Sequence, residues 1–229
     1  MTRTTSMRAL FFLSVLLARA AFSAENPAGR AADDLSALGM KVSVTIVFDT
    51  SGSMGDRHKL DMAKQAFGWW LGNAPKQTIV KWSLWVFDPK NERGLNLVDR
   101  KPNAAEEVQA RINGLTAKGR TPLGRTLQVV TRIIDGENRR ALEGREDILR
   151  QVVLIFTDGE DSFLPGNKVQ PIIKRLRDVG AEVFSIGYQG EGGYLARVSD
   201  KFMMVQDEKQ LKSGLSEFTY FIEKAGPSQ

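Results

Sequence analysis

The 229-residue chain contains no cysteine and a single histidine, His58. The first absence excludes disulfides, thiolate metal sites, iron–sulfur clusters and cysteine nucleophiles. The second excludes any site built from two imidazoles, and with it zinc centres of the usual ligand types. A Ser-His-Asp triad would have to run through His58. No Lys/Arg run with interleaved aromatics is present, so the usual footprint of nucleic-acid binding is missing. No Gly-Lys-Ser/Thr follows a glycine-rich loop, and no Gly-x-Ser-x-Gly elbow occurs, which excludes a P-loop and an ordinary serine hydrolase. Internal repeats and low-complexity stretches are absent.

What remains is ordinary for a folded soluble protein: 42 % hydrophobic and 26 % charged residues. One domain is expected at this length. A chain of this size buries roughly 70–75 % of its unfolded surface and needs no covalent staples.

The first residues read as a secretory signal peptide rather than part of the fold. Arg3 and Arg8 form a basic start, and residues 9–18 are an apolar run too short to span a bilayer comfortably. Ala21 and Ser23 are the small residues a signal peptidase reads, which places cleavage after Ser23; cleavage after Ala20 is the alternative. The segment carries Arg3, Arg8 and Arg19 and no acid, so its removal takes the formal charge from +5 to +2. The expected organisation is a signal peptide over 1–23, a tail over 24–40, a domain over 41–226 and a short tail over 227–229. A periplasmic or secreted location follows from the export signal, with no membrane span expected afterwards.

Beyond the tail, strands and helices alternate. Residues 41–49 form a β-branched run that becomes almost wholly apolar, as a strand buried on both faces does. Helical spacing follows over 57–72, then a strand over 79–87 and a short one over 94–98. Helices are expected over 104–115 and 122–134, the latter with Pro122 in the first helical position. Residues 136–145 are polar and read as an exposed loop or solvated helix. A strand over 151–156, a helix over 168–179 ending at Gly180, strands over 182–186 and 202–205, and a helix over 208–225 complete the pattern. This order predicts an α/β fold: a doubly wound, mostly parallel open sheet with helices on both faces. Ligands bind such sheets at the carboxyl ends of the strands.

Three segments converge on that edge. Asp49-Thr50-Ser51-Gly52-Ser53 follows the first strand, Thr121 precedes a helix, and Thr157-Asp158-Gly159 follows the strand over 151–156. Each alone has a plainer reading, as a helix N-cap or a turn. Together they assemble hard oxygen donors of the kind that suit Mg²⁺ or Mn²⁺. Glu160 and Asp161 read as solvated loop residues, Arg120 and His58 as surface groups. Of the four tryptophans, Trp69 is expected to be exposed and Trp70, Trp82 and Trp85 to be core.

The set resembles the metal-ion-dependent adhesion site of von Willebrand factor A domains of the bacterial exported type. The family pattern Asp-x-Ser-x-Ser, then Thr, then Asp falls on Asp49, Ser51, Ser53, Thr121 and Asp158, and the resemblance spans residues 41–225. It implies a Rossmann-like domain that holds a divalent cation, Mg²⁺ with Mn²⁺ or Ca²⁺ as alternatives, through those five residues. It further implies that an Asp or Glu of a partner protein completes the cation's shell, in adhesion or in assembly of an extracytoplasmic complex. This is a binding design, so no enzyme activity is expected. Two other readings stand beside it: a metal-independent scaffold on the same fold, and a Mg²⁺-dependent phosphohydrolase. A phosphatase of the haloacid dehalogenase type needs a second Asp two positions after the first, where this chain has Ser51. An EF-hand needs Gly at its sixth loop position and Glu at its twelfth, where this chain has Met54 and Leu60.

Overall fold

The computed structural model describes residues 41–88, 90, 93–159, 161–189 and 192–224. The signal peptide, both tails and Glu160 lie outside the described residues.

A six-stranded sheet forms the centre, in the order β3-β2-β1-β4-β5-β6. Its strands are β1 (Val42–Phe48), β2 (Ile79–Phe87), β3 (Gly94–Pro102), β4 (Arg150–Thr157), β5 (Ala181–Tyr188) and β6 (Lys201–Val205). All neighbours pair in parallel except β2 and β3. Every residue of β1 is buried. β1 pairs with both β2 and β4, so the point where strand order reverses lies at its carboxyl end.

Helices cover both faces. On one face, α1 (Lys59–Asn73), α2 (Ala105–Asn113) and α5 (Glu208–Lys224) enclose a core with Val44, Ile46, Phe48, Leu154 and Phe156 of the sheet. Aromatic rings dominate it: Phe48 and Phe67 meet edge to face at 4.9 Å, and Trp70 meets Trp82 at 5.7 Å. On the other face, α3 (Leu123–Leu142) and α4 (Gly166–Asp178) pack Leu127, Val130, Ile173 and Leu176 against Val47, Val153 and Ile155. No helix among the described residues is long and apolar enough to cross a membrane. Of the tryptophans, Trp69 is exposed and the other three are buried, as expected.

Most boundaries differ from the sequence reading by one to three residues, and four differences have an identifiable cause. Helix α1 starts at Lys59 rather than Arg57, because Arg57 and His58, at the end of a 3₁₀ segment over Gly52–His58, adopt left-handed backbone angles (φ 50° and 58°). Strand β3 runs to Pro102 rather than Val98. Its charged end reads as loop, yet Arg100 turns inward with φ 44° and donates to Ser43 Oγ and Thr45 Oγ1, each at 3.0 Å. Residues 136–142 are helical, the second of the two readings given for them, but they continue α3 and are not wholly solvated, since Glu137 is buried and paired with Arg100 at 2.8 Å. Pro122 sits just before the first residue of α3 rather than within it. The end of α4 is as expected: Gly180, at φ 91°, donates to the Arg177 carbonyl and closes the helix.

Candidate metal centre

The site forms where β1 and β4 end side by side. Their parallel register pairs Phe48 with Phe156, and the Asp49 amide donates to the Phe156 carbonyl at 2.9 Å, extending the ladder by one step. Asp49 and Asp158 are thereby delivered to one edge from strands more than a hundred residues apart.

Asp49 is fully buried. One carboxylate oxygen accepts the Ser51 amide at 2.7 Å, and the other accepts the Thr157 hydroxyl at 2.6 Å. The Ser51 and Ser53 hydroxyls lie 3.0 Å apart. Ser53 donates to Asp158 Oδ1 at 2.8 Å, and Lys59 Nζ donates to Asp158 Oδ2 at 2.7 Å. A continuous chain of contacts therefore joins Asp49, Ser51, Ser53 and Asp158. Ser51 is buried and Ser53 is exposed, so the cluster opens to solvent on the Ser53 side.

Thr121 is anchored by its main chain to the loop after β4, and no hydrogen bond among the described residues links its side chain to the other four candidates. Its amide donates to Ser162 Oγ at 3.0 Å, and its carbonyl accepts the Ser162 amide at 2.9 Å. The preceding segment lies along the first loop: Gly52 donates to the Gly119 carbonyl at 3.1 Å and Lys118 to the Thr50 carbonyl at 2.9 Å. Gly119 carries φ 83°, a conformation that suits glycine where the chain turns toward Thr121. Thr121 itself is buried.

Three supporting residues escaped the sequence reading. Asp161 is buried rather than solvated, and its carboxylate accepts the amides of Gly124, Phe163 and Leu164. It thus ties the start of α3 to the loop after β4. An Asp followed two residues later by apolar positions and a Pro was its only sequence signal, and that signal also fits an ordinary turn. Thr157 holds Asp49. Lys59 pairs with Asp158, and nothing in its neighbourhood of Arg57, His58 and Asp61 distinguishes it as a site residue. Arg120 is exposed as expected, with its guanidinium 5.4 Å from the Phe163 ring centre. His58 is exposed too.

The electrostatics suit a cation. Burial pushes the Asp49 carboxyl up to about 6; hydrogen bonds from Ser51 and Thr157 act against this, and the nearby Asp158 adds to it. A carboxylate so placed gains from a positive charge beside it. Among the described residues, no group of three or more His, Cys, Asp or Glu forms a metal cluster. The candidate donors are instead two carboxylates and neutral hydroxyls, a set whose chemistry fits a hard divalent ion.

Solved structures share the fold. The von Willebrand factor type A protein from Catenulispora acidiphila superposes with a TM-score of 0.63 at 18 % identity, covering 80 % of this chain and 43 % of that one. Proximal thread matrix protein 1 from the mussel byssus, solved with a zinc-occupied MIDAS motif, gives 0.58 at 15 % identity, covering 79 % and 47 %. The pilus adhesin SpaC from Lactobacillus rhamnosus GG gives 0.60 at 12 % identity, covering 80 % and 30 %. The chain therefore spans less than half the length of each of these structures. Among curated proteins, no sequence match is found. The family model for the von Willebrand factor type A domain matches residues 43–216, which is most of the chain and all three site segments, so the protein belongs to that family.

Proposed function

We propose that this protein is an exported binding module that holds a divalent cation through Asp49, Ser51, Ser53, Thr121 and Asp158, and that recognises an acidic side chain of a partner protein through that cation. The supporting observation is the linkage of Asp49, Ser51, Ser53 and Asp158 into one hydrogen-bonded cluster at the carboxyl edge of the sheet, with the Gly119 carbonyl of the Thr121 segment bonded to the Gly52 amide of the first loop. The family often binds metal and partner proteins, and one structure of similar fold carries zinc at its MIDAS motif.

The chain's own residues do the following in this reading. Asp49 and Asp158 supply charge. Ser51, Ser53 and Thr121 supply neutral oxygen, which adds donors without adding charge. Thr157 and the Ser51 amide orient Asp49, and Asp161 and Ser162 hold the Thr121 segment in place. Bound at this edge, Mg²⁺ or Mn²⁺ would supply a coordination position for a carboxylate. The role is binding rather than catalysis, in adhesion or in assembly of an extracytoplasmic complex, in keeping with the signal-peptide-like start of the sequence.

The test follows the melting temperature of the purified chain as Mg²⁺ or Mn²⁺ is added, because a ligand bound only by the native state stabilises it by mass action. Wild type should melt higher in metal, and Asp49→Ala should fold but not respond. Partner capture from an extracytoplasmic extract should need both the metal and Asp49. A melting temperature indifferent to every divalent cation overturns the reading. The metal-independent scaffold has one observation in its favour: Lys59 already places a positive charge on Asp158.

A further inference from the structure

The ion pair between Lys59 and Asp158 is the closest charge contact in the site. The Nζ–Oδ2 distance is 2.7 Å, with the Lys59 side chain 11 % exposed and that of Asp158 fully buried. The other oxygen of Asp158 is taken by the Ser53 hydroxyl, so both of its oxygens already have donors. An ammonium held this close, out of water, interacts far more strongly than a surface pair does.

The backbone arrangement that starts α1 at Lys59 is costly. Arg57 and His58 are consecutive non-glycine residues in the left-handed region, which side chains with a Cβ ordinarily avoid. His58 makes no side-chain cap to α1. The left-handed pair turns the chain between the 3₁₀ segment and α1, and Lys59 is the first residue after it.

We propose that Lys59 is a built-in counter-cation of the adhesion site: it holds Asp158 when no metal is bound, lowers the site's affinity for a divalent ion, and so couples metal binding to the arrival of an acidic ligand. The charge count gives the reason. Asp49 and Asp158 together carry two negative charges when both are ionised. Lys59 cancels one of them. A divalent ion added to this group leaves one net positive charge, whereas without Lys59 the sum would be zero. A site with surplus positive charge holds the metal weakly by itself and firmly once a partner's carboxylate restores neutrality. The inference rests on the function proposed above and adds its regulation.

The experiment measures Mn²⁺ binding by titration calorimetry for the wild-type chain, Lys59→Gln and Lys59→Arg, with folding of each checked by circular dichroism. Lys59→Gln keeps a donor for Asp158 and removes the charge; Lys59→Arg keeps the charge. The expected result is affinity tightened by about tenfold or more in Lys59→Gln and near wild type in Lys59→Arg. Added acetate, as a free carboxylate, should tighten Mn²⁺ binding in wild type more than in Lys59→Gln. Equal or weaker Mn²⁺ binding by Lys59→Gln, with wild type binding normally, overturns this inference and leaves the proposed function standing. Binding by Lys59→Gln alone, even with acetate present, upholds the effect of the Lys59 charge on affinity and overturns metal dependence for the native chain. Binding by neither overturns both. A measurement on the wild type guards against a variant that fails to fold. The Lys59 ammonium resonance, assigned by its loss in Lys59→Arg, should shift when Mg²⁺ is added, and an unmoved resonance in Mg²⁺-saturated protein counts against the inference.

Discussion

Thr157 donates its hydroxyl to Asp49 at 2.6 Å, joining the last residue of β4 to the first residue after β1. The same Thr157 oxygen accepts the Gly159 amide at 3.2 Å, so one side chain orients the buried carboxylate and shapes the turn that carries Asp158. Thr157 is fully buried. It supports both acidic members of the site without being one of its candidate ligands.

Replacing Thr157 by Val should therefore weaken fold and site together. Loss of a hydrogen bond to a buried carboxylate costs about 1.5–3 kcal/mol. Denaturant melts in chelator should show that loss. The variant's response to Mg²⁺ should also shrink, because Asp49 would be less firmly oriented.

Acid should affect the metal-free protein in a particular direction. Burial raises the Asp49 carboxyl from its ordinary value near 3.8 to about 6. The native state then binds the proton more tightly than the unfolded chain does. This group's contribution to stability is fully present below pH 3.8 and is lost as the pH rises through about 6. A shift of this size corresponds to ~3 kcal/mol. Asp49→Asn removes the titration. Unfolding free energies in chelator should show wild type losing stability relative to Asp49→Asn between about pH 4 and pH 6.5, and parallel curves would contradict the assignment.

Asp161→Ala should be more harmful than its place in a loop suggests. It withdraws the acceptor of three backbone amides, among them Gly124 at the start of α3. A cost of about 2–4 kcal/mol is expected, since one buried amide and two partly buried ones are left without their acceptor. Hydrogen exchange should accelerate over residues 119–126 and 161–164 before it does in β1 or β4.

At the opposite end of the sheet, the Arg100 guanidinium is sealed against Glu137, Ser43, Thr45 and Gln151. Burial lowers its pKa and the neighbouring Glu137 raises it. Arg100→Met alone should cost about 3–5 kcal/mol, because it leaves Glu137 as an uncompensated buried charge. The double variant Arg100→Met, Glu137→Leu should recover much of that loss in thermal melts. A double variant as unstable as the single one would show that Ser43, Thr45 and Gln151, rather than the charge pair, set the cost.

The local pattern carried much of the architecture. The unbroken apolar run of β1 and the helical spacing of Leu60, Ala63, Phe67 and Trp70 are consequences of burial periodicity, which a sequence displays directly. The misread segments share one cause. Residues 99–102 and 136–142 are charged, and charge reads as solvent exposure unless its partner is known. Arg100 and Glu137 are each other's partner across a separation that no local window spans. The start of α1 differs for a conformational reason: two left-handed residues interrupt an otherwise helical spacing.

For the site, the sequence determined the candidate ligands, because short loops at the carboxyl ends of strands place their residues wherever the strands end. Asp49, Ser51 and Ser53 lie within five positions, so their clustering needs only a local turn. Tertiary structure alone decided what surrounds them. The pairing of β1 with β4 sets Thr157 against Asp49, the packing of α3 against the loop after β4 buries Asp161, and the turn at Arg57 and His58 sends Lys59 to Asp158. Each is a contact between residues separated by 37 to 108 positions. Such contacts depend on which strands become neighbours and which helix packs across them, and that is decided by burying the whole apolar surface at once rather than by any local stretch of chain.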